Sequence, residues 1–245
     1  MKVSGHCILI TGASRGIGKA MVKKMLELDN EVLALGRNPA NLEKLKSEFP
    51  QIIPYTCDLE NETNLRKVAE EIQQKHPQLS VLVNNAGIQH RYSFLEDPEA
   101  LDKIKSEFQV NLLAPVLLTT LLLPTLARQT EAAVINVSSG LALAPKGNAP
   151  IYCSSKAGLH SYSKGLRYQL EKTPVRVFEL LPPMVDTDMT AGRGKKKMSP
   201  EALVDELIGN LKRNRWETNA GVVKYLQLVL RLAPGLAYNI VKNRK

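Results

Sequence analysis

The feature that most constrains the fold is a glycine-rich turn between a short apolar run and an amphipathic stretch. Residues 7–10 predict a buried strand, residues 11–18 the turn and residues 17–28 a helix. Glycines let phosphate oxygens approach the backbone closely, and the helix N-terminus presents oriented N–H groups. The spacing Gly12-x-x-x-Gly16-x-Gly18 is not the Gly-x-Gly-x-x-Gly pattern, so the turn alone does not establish a nucleotide site.

The same alternation of strand and helix patterns continues along the chain. Further strands are predicted at residues 31–35, 52–55, 81–83, 133–137 and 175–181. Helices are predicted at 39–49, 61–76, 98–127 and 199–213, and another carries Tyr152 and Lys156 and reaches about Leu170. Such alternation predicts parallel βαβ units with right-handed crossovers. The expected fold is therefore α/β: a single-domain, Rossmann-type, doubly wound parallel sheet with helices on both faces, spanning residues 1–245.

One stretch, residues 108–127, carries no charge and is long enough to span a bilayer. It contains Asn111, two prolines and three threonines, and it lies within the βα alternation. A helix in the core or at a subunit interface is therefore expected.

Charge and cysteine content narrow the class of protein. The formal charge of +9 is concentrated in residues 193–197 and 242–245, and aromatic residues make up only 5% of the chain. Because aromatics do not interleave with the basic runs, no nucleic-acid partner is expected. Three cysteines without disulfide or metal spacing indicate reduced thiols in the cytoplasm, and no metal site is expected. The first residues leave no room for a signal peptide.

Tyr152 and Lys156 lie four residues apart on a predicted helix, and therefore on one face. A free tyrosine has a pKa of about 10, too high for ready proton exchange at neutral pH. An adjacent ammonium group favours the phenolate. Together with a pyrophosphate site, this pair predicts hydride transfer to or from a nicotinamide cofactor.

Further motifs follow one another in a recognisable order: Asp58, Asn84-Asn85-Ala86-Gly87, Asn111, Ser138-Ser139, Tyr152-x-x-x-Lys156 and Pro182-x-x-Val185-x-Thr187. With the glycine spacing, they resemble the short-chain dehydrogenase/reductase family over residues 5–190. The resemblance implies a Rossmann-type fold and NAD(P)-dependent interconversion of an alcohol and a carbonyl. Within the family, the chain is most similar to a bacterial branch linked to D-alanine esterification of teichoic acids. A dehydrogenase fold gives no physical reason for esterification.

The resemblance implies a role for each motif residue. Tyr152 would be the general acid or base, Lys156 would hold the nicotinamide ribose, and Ser139 would polarise the substrate carbonyl. Asn111 would anchor a water leading to Lys156, or would satisfy helix backbone groups locally. The expected catalytic residues are Ser139, Tyr152, Lys156 and Asn111. The expected cofactor-binding residues are Gly12, Ser14, Arg15, Gly16, Ile17, Gly18, Arg37, Asn38, Asp58, Leu59, Asn84, Ala86, Gly87, Tyr152, Lys156, Pro182, Val185 and Thr187.

The end of the second predicted strand indicates which nicotinamide is preferred. Gly36 stands where an acidic residue often holds the adenosine ribose, and Arg37 follows it. Arg15 lies within the glycine turn. Two guanidinium groups there would flank a 2′-phosphate, so NADP(H) is expected in preference to NAD(H). Asp58 either accepts from the adenine amino group, with Leu59 alongside, or caps the following helix.

The C-terminal quarter carries the expected substrate side. Residues 188–214 correspond to a substrate loop and helix, and residues 215–245 form an apolar, basic extension. Residues 222–245 can pack over the substrate pocket, join subunits, or contact an anionic membrane peripherally. A departure from the family pattern is Pro182-Pro183 in place of Pro-Gly, which removes a backbone donor.

Three functional hypotheses follow. The favoured one is an NADP(H)-dependent oxidoreductase acting on a small-molecule carbonyl or alcohol, in a homodimer or homotetramer that pairs through residues 108–127 and the Tyr152 helix. The alternative is a non-catalytic NADP(H)-sensing protein on the same fold, although such proteins ordinarily lose Ser139, Tyr152 or Lys156. The third is nucleic-acid binding through the basic surface, which predicts strongly salt-dependent retention on DNA.

Overall fold

The computed structural model describes residues 1–90, 92–194 and 196–242. Within these residues, seven parallel strands form one sheet in the order β3-β2-β1-β4-β5-β6-β7. The strand bounds are β1 Cys7–Thr11, β2 Glu31–Gly36, β3 Ile53–Thr56, β4 Leu79–Asn84, β5 Ala132–Val137, β6 Val175–Leu181 and β7 Glu217–Asn219. The expected doubly wound parallel sheet is confirmed.

Helices cover both faces of the sheet. Their bounds are α1 Gly16–Glu27, α2 Pro39–Glu48, α3 Glu62–Lys75, α4 Ala100–Phe108, α5 Ala114–Leu126, α6 Pro150–Gln169, α7 Pro200–Lys212, α8 Val223–Leu232 and α9 Pro234–Lys242. Alternate residues of β1 pack into two separate hydrophobic cores, one on each face of the sheet. Ile8 and Ile10 pack in one core with residues of α1 and α7, whereas Leu9 packs in the other with residues of α3 and α5. Burial on both faces explains why the strands read as continuous apolar runs.

The helix predicted at residues 98–127 begins later and is interrupted. It starts at Ala100, and a π-helical segment, Gln109–Leu113, separates α4 from α5. The continuous helical stretch Ala100–Leu126 is apolar and long enough to cross a membrane, but half of its most apolar window is buried within the protein. Core helices of soluble proteins can be equally long and apolar. The stretch is therefore only weak evidence for a membrane-spanning helix.

The C-terminal residues contain elements that the sequence patterns did not predict. β7 has only three residues and pairs with β6 through Glu179–Leu181. Beyond it, the apolar extension forms two helices, α8 and α9, separated at Ala233. Pro234 explains the break, because proline cannot donate the hydrogen bond that would continue α8.

Candidate functional site

A cavity of about 410 Å³ lies at the carboxyl ends of the strands. Its lining comes from the loops after β1, β2, β3, β4, β5 and β6, and from α6. Strand order reverses between β1 and β4, and open α/β sheets bind ligands in the crevice at such a switch point.

Most of the expected site residues meet in this cavity. From the expected set, the lining contains Gly12, Ser14, Arg15, Gly16, Ile17, Gly18, Arg37, Asn38, Asp58, Leu59, Ala86, Gly87, Ser139, Tyr152, Lys156, Pro182, Val185 and Thr187. Asn84 and Asn111 are not among the lining residues.

The glycine turn has a geometry that side chains would prevent. Gly12 and Gly16 adopt φ values of +64° and +53°, in the left-handed region. A Cβ atom on Gly18 would lie 2.1 Å from the Gly12 carbonyl oxygen. The backbone is therefore open at the cavity floor, as close approach of a pyrophosphate requires.

The N-terminus of α1 is free to bind an anion. Its N-cap residue, Arg15, makes no side-chain capping bond, and the first turn contains no acidic residue. The unpaired N–H groups and the helix dipole there favour phosphate oxygens. These features fit a dinucleotide, whose pyrophosphate residues 12–18 could hold.

Asn85, which the sequence reasoning did not select, holds this turn in place. Its side-chain amide donates to the carbonyl oxygens of Thr11 at 2.9 Å and Gly12 at 3.3 Å. Its backbone N–H donates to the Thr11 hydroxyl. Asn85 lines the cavity, and the signal for it was its position in the Asn-Asn-Ala-Gly motif.

Asn84, the other asparagine of the motif, lies beneath the cavity. It is buried at the end of β4 and is not among the residues that line the cavity, and its expected backbone contact with the cofactor stays a prediction. Its side chain donates to Thr119 at 3.0 Å and to Asn136 at 2.8 Å. Because successive strand residues point to opposite faces, only one of the two asparagines can face the glycine turn.

The phenol of Tyr152 lies on the first turn of α6, beside Ser139 at the end of β5. Burial raises the pKa of Tyr152 to about 12, and a hydrogen bond with the Ser139 side chain opposes that rise. The pKa depression expected from Lys156 is not found; the influences that oppose burial come from Ser139 and Arg193. At neutral pH the phenol is therefore protonated.

Lys156 is buried one helical turn further along α6, and its ammonium group donates to the Val137 carbonyl oxygen at 2.9 Å. Burial lowers the pKa of Lys156 to about 8, and the negative charge of Glu179 opposes this fall. Lys156 therefore lies between its charged and neutral forms at mildly alkaline pH.

Asn111 lies behind the cavity in the π-helical segment. Its side chain accepts from the Ile88 backbone N–H at 2.8 Å and donates to the Ile88 carbonyl oxygen and the Ser155 hydroxyl. It therefore fixes the loop after β4, rather than satisfying its own helix. A Cβ atom on Gly87 would lie 3.3 Å from both Asn111 Oδ1 and Lys156 Nζ, so both groups lie beside Gly87.

The opposite end of the cavity carries both expected arginines. Arg15 lies 3.8 Å from Asp188, and Arg37 lies 3.6 Å from Glu60, in exposed ion pairs. Exposed pairs of this kind are weak, so both guanidinium groups can turn toward a phosphate. Asn38 caps α2 by accepting from the Asn41 N–H.

Asp58 does not cap α3 directly. Its carboxylate accepts from the Glu60 N–H at 3.0 Å, whereas the capping side chain of α3 is Asn61. Asp58 and Leu59 both line the cavity, next to Cys57.

The loop after β6 closes the cavity over the glycine turn. A Cβ atom on Gly16 would lie 3.0 Å from Thr187 Cγ2, so Thr187 packs against the turn. The base of the loop is fixed by a bridge between Val185 and Met198. Pro182 accepts from the Gly140 N–H, and Pro183 also lines the cavity.

The expected substrate side brings together three separate segments. Arg193 of the loop donates to the Gln89 side chain, which connects the loop with the segment after β4. Val223, at the start of α8, would be 2.8 Å from a Cβ atom on Gly140, the residue after Ser139. Helix α8 therefore begins beside Gly140 and Ser139.

The fold and the site define a dinucleotide-binding α/β protein with a tyrosine, a lysine and a serine at one end of its cavity. The family model for short chain dehydrogenases matches residues 6–198. The chain belongs to the short-chain dehydrogenase/reductase family, and its oxidoreductase character follows from that membership. The resemblance stated from the sequence is confirmed.

Relatives and solved structures agree with this assignment. The uncharacterized oxidoreductase DltE of Bacillus subtilis is 40% identical over 223 residues, which cover 89% of this chain and 88% of DltE. A short chain dehydrogenase from Burkholderia cenocepacia in complex with NADP superposes with a TM-score of 0.87 at 25% identity, over 98% of this chain and 99% of that chain. A Burkholderia phymatum homologue in complex with NAD gives a TM-score of 0.83 at 17% identity, over 95% and 96%. Both nicotinamide dinucleotides therefore occur on this fold.

Proposed function

We propose that the protein is an NADP(H)-dependent oxidoreductase that interconverts a small-molecule carbonyl and its alcohol, with Tyr152 as the general acid or base. The observation that carries the proposal is the placement of Ser139, Tyr152 and Lys156 in the same cavity as an uncapped, glycine-lined helix N-terminus. One part of the cavity suits proton transfer, and another suits a pyrophosphate.

Each side chain has a defined task in carbonyl reduction. A bound NADPH would supply the hydride. Ser139 orients the carbonyl oxygen and stabilises the negative charge that develops there. Tyr152, protonated at neutral pH, gives its proton to that oxygen. Lys156 follows Tyr152 by one turn of α6, so its ammonium group would stabilise the phenolate formed in this step.

The preference for NADP(H) rests on charge at the adenosine end. Arg15 and Arg37 both line the cavity, and Gly36 leaves β2 without the acidic side chain that would repel a 2′-phosphate. An acidic residue at position 36 would also be crowded, because a Cβ atom there would meet Leu42 Cδ2 at 3.2 Å.

Replacing Tyr152 with phenylalanine tests the catalytic assignment. Tyr152→Phe removes the proton donor, so NADPH oxidation with a panel of ketones, aldehydes and quinones should fall at least about a hundredfold. NADPH affinity, measured by fluorescence titration, should remain. Tyr168→Phe is the matched control, because Tyr168 lies on the same helix but is 74% exposed. Undiminished turnover in Tyr152→Phe would refute the proposal.

The sensing alternative makes a different prediction in the same experiment. A sensor would bind NADPH and would turn over no carbonyl of the panel, even in the unmodified protein. The presence of Ser139, Tyr152 and Lys156 in one cavity favours the enzyme.

We also propose a cytoplasmic protein that forms a homodimer or homotetramer. All three cysteines, Cys7, Cys57 and Cys153, are free and buried, as suits a reducing compartment.

The expected subunit contact has exposed apolar residues: Leu113, at the end of the π-helical segment, and Tyr168 of α6 lie on the helices expected to pair. Sedimentation equilibrium should give two or four times the chain mass of 27.1 kDa.

Peripheral membrane contact is proposed for the C-terminal helices. Val222, Tyr225, Leu228 and Leu232 are spaced for one face of α8 and are each more than half exposed. No acidic residue follows Glu217, whereas Lys224, Arg231 and Lys242 are basic. This combination suits an anionic bilayer surface. Leu228→Glu/Leu232→Glu should abolish cosedimentation with phosphatidylglycerol vesicles, and binding equal to that of the unmodified protein would exclude this surface.

A further inference from the structure

Glu179 is an acidic residue buried in the middle of β6. It is 0% exposed, and it lies opposite Asn136 in the pairing of β6 with β5. An ionised carboxylate in such a position is costly unless other groups compensate its charge. The groups that surround Glu179 therefore indicate what its charge does.

Two side chains hold the Glu179 carboxylate in one orientation. The Ser138 hydroxyl donates to one oxygen, and His160 Nδ1 lies 2.8 Å from the other. Ser138 immediately precedes Ser139, and His160 follows Lys156 by one turn on α6. The carboxylate thus connects the strand end that carries the substrate-polarising serine with the helix that carries the lysine.

Lys156 shares this neighbourhood. Its ammonium group is anchored on the carbonyl oxygen of Val137, the residue before Ser138. The Glu179 charge raises the pKa of Lys156, against the larger lowering caused by burial. Glu179 is therefore the negative group that partly offsets the desolvation of a buried ammonium.

We propose that Glu179 is a positioning residue for the oxidoreductase reaction, which keeps Lys156 in its ammonium form while Ser138 and His160 hold the carboxylate in place. The inference rests on the proposed function of the Tyr152–Lys156 pair and adds a third component to it. Glu179 is not among the residues that line the cavity, so it contacts no reacting atom.

The other titratable groups near Glu179 are already engaged. His160 faces it from α6 and Glu217 from β7, and potential ligand atoms of the three lie within 4.8 Å of one another. Glu217 itself lies 3.9 Å from Lys164 and from Arg167, which balance its charge. Glu179 is the acidic group that acts on Lys156, whereas Glu217 does not.

This difference gives a matched pair of variants. Glu179→Gln removes the charge and retains an oxygen that can accept from Ser138. Glu217→Gln makes the same chemical change at the edge of the same cluster. Only Glu179→Gln should shift the protonation of Lys156.

The experiment measures NADPH affinity and the rate of carbonyl reduction between pH 6 and 10. In the unmodified protein, both should decline as the pH rises, and the midpoint of each pH profile should lie at about pH 8. Loss of a neighbouring opposite charge lowers a lysine pKa by about one unit or more, so the Glu179→Gln midpoint should move to about pH 7 or below. At pH 8 the ammonium fraction then falls from about one half to about one tenth, a roughly fivefold loss. At pH 6 most of the loss should be recovered.

The outcomes separate this inference from the proposed function. A midpoint unchanged in Glu179→Gln, or one shifted equally in Glu217→Gln, would overturn the role of Glu179. NADPH binding with the expected shift, but no turnover in any protein, would support the role of Glu179 and reject the enzyme. A loss of turnover that is equal at every pH would indicate a merely structural role.

A second variant tests the same inference if Glu179→Gln does not fold. Glu179→Met/His160→Phe replaces both partners with apolar side chains, a change that buried ion pairs often tolerate. The midpoint of its pH profile should also shift to lower pH. An unchanged midpoint there would also reject the inference.

Discussion

Removal of the Arg37 guanidinium gives a direct measure of cofactor selection. Arg37 follows β2 and lines the cavity, with its side chain 67% exposed and 3.6 Å from Glu60. A charge-assisted hydrogen bond to a phosphate contributes about 1.5–3 kcal/mol. Because solvent screens this exposed site, the lower limit applies, and about 1.5 kcal/mol corresponds to roughly tenfold in affinity.

The assay compares the two reduced cofactors in one protein. In Arg37→Ala, the dissociation constant for NADPH should rise about tenfold, whereas that for NADH should stay within about twofold, because only NADPH carries the 2′-phosphate. The difference should shrink between 50 and 200 mM salt. Arg66→Ala is the control, since Arg66 pairs with Glu62 on α3 and lies outside the cavity lining.

Two results would refute this reasoning. One is an unchanged NADPH-to-NADH ratio in Arg37→Ala, which would mean that the guanidinium does not meet the 2′-phosphate. The other is an equal loss of NADPH affinity in Arg66→Ala, which would mean that only the overall positive charge matters.

Three further predictions concern the glycine turn, its support by Asn85 and the charge of Lys156. Gly18→Ala should weaken NADPH binding by more than about tenfold in fluorescence titration, because its Cβ atom would lie 2.1 Å from the Gly12 oxygen, whereas Gly165→Ala meets open space and should bind normally. Asn85→Ala should lower the free energy of unfolding by about 1–3 kcal/mol in urea, since it leaves turn carbonyl groups unpaired. Carbonyl reduction should fall above about pH 8 in steady-state assays, as Lys156 loses its proton.

The fold could be predicted because its signals are local. Each buried strand is a short apolar run, and helices α2, α3 and α7 begin at side-chain caps, Asn38, Asn61 and Ser199, that the sequence displays. The glycine turn was predictable for the same reason, since positive φ values and close backbone contacts require glycine.

The features that were missed depend on tertiary contacts. The π-helical segment arises where Asn111 reaches Ile88, a contact between residues 23 positions apart. β7 is a strand only because β6 offers it an edge, and its three residues carry no alternating pattern. Which asparagine of the Asn84-Asn85 pair faces the turn depends on the register of β4 relative to β1. Residue type alone cannot fix such choices.

Burial at the site bears on the direction of the reaction. A phenol with a pKa of about 12 is almost fully protonated at pH 7, which is the form that donates to a developing alkoxide. Alcohol oxidation needs the phenolate, whose fraction rises about tenfold for each pH unit below that pKa. Reduction should therefore be favoured at neutral pH. The loss of the Lys156 proton above about pH 8 is a separate effect on cofactor binding, so the rate of oxidation should rise with pH when NADP⁺ is saturating. An oxidation rate that is independent of pH between 7 and 10 would show that proton removal by Tyr152 does not limit the reaction.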